Sequence, residues 1–166
     1  RHNRLTPFDL ITTAALVHFQ RQCVELLLLE VGLGGRLDAT TAHPHRPIIA
    51  MGQIGLDHCE YLGRSLRAIA HEKAAVISHG ATVISAAQQQ EAGAVIEAVC
   101  LQRQARLRWV DPLPADWSLG LDGRMQRSNA AVALGTLQAL KPFGWCFAES
   151  SIRTGFSEAR WAGRLQ

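Results

Sequence analysis

At 166 residues, 48% of them hydrophobic and 19% charged, the chain can bury one core without disulfides or a structural metal, which excludes a disordered charged tail. A net charge of +3 is too small to select nucleic acid over anionic small molecules. No apolar run approaches the roughly 18–20 residues of a membrane span, and the four cysteines (Cys23, Cys59, Cys100, Cys146) form no C-x-x-C pair, so a zinc knuckle and a secreted disulfide framework are not expected.

In chain order, Thr6, Pro7, Phe8 and Asp9 read as a helix start, with Thr6 as N-cap and Pro7 at the first helical position. Leu10, Ala14, Val17 and Phe19 supply the apolar positions that follow. Residues 24–29 are apolar apart from Glu25, as in a strand covered on both faces; Ile48–Met51 and residues 81–85 are two more such runs. Between those two, Leu66, Ile69, Ala70, Lys73 and Ile77 recur at helical spacing. A helix over 88–103 with Ala92, Val95, Ile96 and Val99 on one face, a strand at Arg106–Val110, a Pro- and Gly-bearing loop over 111–124 and a helix over 129–140 complete the pattern. Alternating strands and helices predict a layered α/β fold, a mostly parallel sheet flanked by helices.

Ligands of such sheets sit beyond the carboxyl ends of the strands, which directs attention to the loops after Leu29 and Met51. The first holds Glu30 and then Gly32, Gly34 and Gly35, without the dinucleotide Gly-x-Gly-x-x-Gly spacing. The second bunches Asp57, His58 and Glu60. Taken singly, Glu30 reads equally as a turn cap and His58 as a surface residue. If the two loops lie at neighbouring strand ends, one carboxylate and one imidazole are too few for structural zinc but suit Mg²⁺, which keeps several waters and takes the rest of its shell from phosphates. Lys73 shares the apolar stripe of its helix, either snorkelling from it or serving the site as a cation or a modified anion, with Glu72 placed to hold it. Ser128 or Asn129 is a candidate N-cap for the late helix. Arg164 follows Gly163 in a stretch with no helical pattern.

Four stretches together resemble the folylpolyglutamate synthase/dihydrofolate synthase family within the Mur-ligase-like ATP-dependent ligases: LLLLEVGLGGRLDAT (26–40), GLDHCEYLGRSLRAIAHEKA (55–74), QRSNAAVAL (126–134) and WAGRLQ (161–166). The first two are long and specific, and the last two are weak alone. The resemblance implies a P-loop NTPase-like Mur ligase central domain, incomplete here. It implies ATP-driven joining of L-glutamate to dihydropteroate or folate through an acyl phosphate. By position, Glu30 and His58 match the Mg²⁺ ligands, and Lys73 matches a lysine that becomes carbamylated and acts with His58 in catalysis. Asn129 and Arg164 match positions on ATP. Leu37, Asp38 and Ala39 match part of the pterin site, with Thr6, Pro7, Phe8 and Asp9 as a second pterin-facing segment.

The departures from the family pattern are specific. These 166 residues contain no Gly-x-x-Gly-Lys-[Ser/Thr] phosphate loop, whose amides would cradle phosphates. Thr41, Gln53, Ala75 and Ala162 stand where Asn, Ser, Gly and Pro are usual. Residues 1–166 are accordingly expected to be the later part of the ATP-binding domain, with the phosphate-loop segment and the carboxy-terminal glutamate ligase domain absent and the chain inactive alone. A cytoplasmic monomer that meets neither membrane nor nucleic acid is expected. The rival readings are a fragment of a Mur-type cell-wall amino-acid ligase, and a non-catalytic nucleic-acid-binding module built on Arg103, Arg106, Arg108 and Trp109.

Overall fold

The computed structural model describes residues 5–161. Its centre is a parallel three-stranded sheet, β1 (Ile48–Met51), β2 (Thr82–Ala86) and β3 (Arg106–Val110), in that spatial order. The register aligns Ile49 with Val83 and Val83 with Leu107, so one row of side chains runs across a single face. Helices α3 (Leu66–Ala74) and α4 (Gln90–Gln102) cover that face, closing a core of Ile49, Met51, Val83, Ile69, Ala70, Val95 and Ile96. The alternate side chains Ile84 and Ala86 face α5 (Arg124–Ala139) through Val132. Because β2 is covered on both sides, its apolar residues Val83, Ile84 and Ala86 are buried on both faces, with Ser85 buried among them, as in a central parallel strand.

Gly135 lets α5 approach the sheet closely: a Cβ there would lie 2.7 Å from Ile84 Cγ2. The outer side of α5 packs in turn on Leu113 and Trp117, and on Ile152 and Phe156 of α6 (Glu149–Glu158). Arg153 of α6 sits over the Trp117 ring at 4.0 Å.

The amino-terminal helix α1 (Pro7–Arg21) is started by Thr6 through a full capping box. Its Oγ1 accepts from Asp9 N–H, and Asp9 Oδ2 accepts from Thr6 N–H at 2.7 Å. These local bonds also hold the Asp9 carboxyl below its usual value. The expected apolar face is corrected, however. Leu10, Ala14 and Val17 are exposed; Phe19, the fourth expected position, is half-buried and lines a cavity with Thr12, Ala15 and Leu16.

Three further expectations are overturned. Residues 24–29 form no strand; no described strand supplies ladder partners, and Val24, Leu26 and Leu28 stand exposed. The late helix begins at Arg124 behind Gly123, so Ser128 and Asn129 are interior residues and neither is its N-cap. The loop after β1 contains a short helix, α2 (Cys59–Leu62), whose four residues are too few to show periodicity. Among the described residues no helix is long and apolar enough to cross a membrane.

Candidate functional site

The glycine-rich loop is built around Asp38. Its Oδ2 accepts the amides of Gly32 and Leu33, both at 2.9 Å, while Oδ1 accepts the amide and hydroxyl of Thr40 at 3.0 and 2.6 Å. Burial alone raises the Asp38 carboxyl, but these bonds, led by the Thr40 hydroxyl, outweigh it and hold the group below the usual carboxylate value. Asp38 thus caps the 3-10 turn Ala39–Ala42 and closes the loop on itself. Leu37 beside it is exposed and Ala39 half-buried.

Two glycines seat this loop, Gly34 against the end of α2 and Gly35 on α3. Gly34 has φ +69 and Gly35 φ +151, both in the region that favours glycine. A Cβ on Gly34 would meet Leu62 Cδ2 at 2.7 Å, and one on Gly35 would meet Glu72 O at 2.9 Å and Lys73 O at 3.3 Å. Arg36 completes the joint: its amide donates to Glu72 O at 3.1 Å and its Nε to Glu72 Oε1 at 2.9 Å. This corrects the expected pairing, because the Glu72 carboxylate is engaged by Arg36 rather than by Lys73. Lys73 is half-buried in the last turn of α3, where a cation is also favoured by the helix dipole. Arg46 adds a second tie, donating to the carbonyls of Thr41, His43 and Val76.

His58 precedes α2 in a left-handed conformation, φ 50, and its carbonyl accepts the amides of Tyr61 and Leu62. Asp57 Oδ1 accepts the His58 amide at 2.7 Å, and Asp57 Oδ2 lies 3.7 Å from His58 Nε2. The imidazole is exposed. Glu30 is also exposed, but it follows an extended segment rather than a strand of the sheet, so the expectation that it ends a strand does not hold. It lines an open cavity of about 210 Å³ with Phe8, Phe19, Leu28 and Thr40. The Phe8 ring reaches Gly32 there, its Cζ 3.0 Å from the position of a Cβ.

Asn129, on the first half of α5, is exposed and donates to Gln126 Oε1 at 3.1 Å. Its Oδ1 lies 3.9 Å from where a Gly52 Cβ would be, which brings α5 to the carboxyl end of β1. Arg164 lies outside the described residues. Of the arginines in the nucleic-acid reading, Arg106 donates to Thr82 Oγ1 of β2 and Arg108 to Gln138 Oε1 of α5.

Glu30 and His58 offer a carboxylate and an imidazole, donor types that suit magnesium, but with residues 24–29 forming no strand they do not sit at neighbouring strand ends. Among the described residues no group of three or more His, Cys, Asp and Glu side chains could hold a metal alone. Exposed single donors, Glu30 and His58, are what a cation that keeps its water and binds phosphate uses.

A parallel three-stranded sheet flanked by helices is the fold of the Mur-ligase-like α/β proteins. Within that class the chain belongs to the folylpolyglutamate synthase/dihydrofolate synthase family. It is 36% identical over 133 residues to the folylpolyglutamate synthase of Arabidopsis thaliana, a match taking in 78% of this chain and 23% of that protein. It is 32% identical over 176 residues to the dihydrofolate synthase/folylpolyglutamate synthase of Haemophilus influenzae, with 98% of this chain and 39% of that one covered. Its fold superposes on an FPGS–AMPPCP–folate complex with a TM-score of 0.89 at 25% identity, over 98% of this chain and 45% of that one. The chain therefore spans less than half the length of these relatives. No family model matches it.

Three site features escaped sequence reasoning: the Arg36–Glu72 joint, the Arg46 tie and the Gln88 side chain. Gln88 accepts from Ile54 N–H and donates to Gly52 O, both at 2.8 Å. Its one sequence signal is its place just past the carboxyl end of β2.

Proposed function

We propose that this chain is the nucleotide- and pterin-facing part of an ATP-dependent ligase that joins L-glutamate to dihydropteroate or folate through an acyl phosphate. The observation that carries the reading is the seating of the glycine loop on α3, which joins the two long family-like stretches through Gly35, Glu72 and Lys73. The complexes of related proteins with AMPPCP and with folate support the same ligand classes.

In this reading Glu30 and His58 hold Mg²⁺, and Asn129 and Arg164 contact ATP. Lys73, as its carbamate, adds a carboxylate beside the phosphates. Mg²⁺ bound with ATP supplies charge neutralisation at the γ-phosphate, the main electrostatic need of phosphoryl transfer. The protein's own part is to orient. Asp38 fixes the loop that carries Leu37 and Ala39, and Phe8 of the Thr6, Pro7, Phe8, Asp9 segment lines a cavity together with Thr40 of that loop. The Phe8 ring offers an aromatic surface for a pterin. Activity is read as confined to a cytoplasmic monomer.

The chain alone is proposed to bind but not to turn over, because no phosphate-loop motif occurs in its 166 residues. Thermal-shift titration with Mg·AMPPCP and with dihydropteroate tests the binding, since a ligand of the folded state raises the melting temperature by mass action. A rise with both is expected; no rise with either contradicts the reading. An ATPase and ligation assay is expected to show no product, and turnover would refute the inactivity.

A further inference from the structure

The segment between β1 and α2, residues 52–57, carries Asp57 and delivers His58, yet it has no regular secondary structure of its own. Backbone groups in such a segment need partners wherever water is kept out. Ile54 is 3% exposed, so its amide lies under a buried side chain. The partner is Gln88: its Oε1 accepts the Ile54 amide at 2.8 Å and its Nε2 donates to Gly52 O at 2.8 Å. The same Nε2 donates to Ser85 Oγ at 3.2 Å. Ser85 is fully buried at the end of β2 and passes its own proton to Ala86 O at 2.9 Å. One carboxamide thus bridges two residues of the β1–α2 loop to the central strand, using its acceptor and its donors.

Gly52, one end of this bridge, faces α5: a Cβ built on it would lie 3.9 Å from Asn129 Oδ1. We propose that Gln88 is the positioning residue of this site: its carboxamide holds the loop against β2 so that His58 is presented from a fixed backbone. That the loop serves a metal and a nucleotide rests on the function proposed above; the clamp itself does not.

Native-state amide exchange and Mn²⁺ titration, both followed by NMR on the full chain, test this with Gln88→Leu and Gln88→Glu. Leucine keeps the bulk and removes all three bonds, whereas glutamate keeps an acceptor for Ile54. Gln88→Leu is expected to speed exchange at Ile54 by about 10-fold, the loss of one buried hydrogen bond, while Val83 and Ile96 keep their rates. Gln88→Glu is expected to retain most of the Ile54 protection, the reverse of the order that packing alone gives. Mn²⁺ alone is expected to broaden the His58 ring signals of the parent chain at several-fold lower concentration than those of Gln88→Leu. An Ile54 amide that stays protected in Gln88→Leu, or a glutamate variant no better than the leucine one, overturns the proposal. If Gln88→Leu does not fold, Gln88→Ala is judged by the same rates. Absence of Mn²⁺ broadening in the parent counts against the metal reading, and the exchange rates then decide Gln88 by themselves.

Discussion

Arg36 Nε lies 2.9 Å from Glu72 Oε1, and the Arg36 amide donates to the Glu72 carbonyl of the same helix turn, so one residue pair joins the glycine loop to α3. Both side chains are partly exposed, at 49% and 26%, which screens the ion pair. A double-mutant cycle with Arg36→Ala and Glu72→Ala should give a coupling of about 0.5–1 kcal/mol, read from urea unfolding, that shrinks with added salt. A coupling indistinguishable from zero at low salt would mean that the ion pair adds nothing to the glycines and the backbone bond in seating the loop.

Asp38 makes the loop pH-sensitive on the acid side. Its carboxyl titrates below the ordinary value of 3.8, so its contribution is complete above that pH and is lost as pH falls through the lower folded value. Asp38→Asn turns one of the two acceptor oxygens into a donor, so either the Gly32 and Leu33 amides or the Thr40 amide loses its partner, at a cost of about 2 kcal/mol at neutral pH. Melting temperatures measured across the acid range should show the variant's deficit narrowing below pH 3.8. A deficit independent of pH would contradict the assignment of the charge.

Gly135 is expected to resist even the smallest side chain. Alanine ordinarily favours a helix interior over glycine by roughly 1 kcal/mol, but here its Cβ would sit 2.7 Å from the β-branched Cγ2 of Ile84. Overpacking of about 1–3 kcal/mol wins. Chemical denaturation of Gly135→Ala should show net destabilisation; a gain in stability would mean that α5 can lift off the sheet without cost.

The parts legible in the sequence are those whose patterns are local. Ile48–Met51 and Arg106–Val110 are strands at the bounds their sequence patterns mark, and Thr6 with Pro7 starts α1. Residues 24–29 look as apolar as β2, but a strand is defined by its neighbour, and apolarity says nothing about whether one is present. Helix α5 starts at Gly123 without any side-chain cap, so the polar Ser128 and Asn129 within it mimic a start. Helix α6 is mostly polar; its two core residues, Ile152 and Phe156, gain meaning only from Leu113 and Trp117 far back in the chain. At the site, the motifs point to Glu30, His58, Lys73 and Asn129. The groups that hold these segments in place, Arg36 on Glu72 and Gln88 on Ile54, are long-range hydrogen bonds that no short motif encodes.

The shared-cation claim is tested most directly by isothermal titration of Mn²⁺, in the presence of AMPPCP, into the parent chain, Glu30→Gln and His58→Ala. One site per chain and a loss of affinity of about 10-fold or more in each variant are expected. One variant that binds as tightly as the parent would show that these two side chains do not hold the same ion.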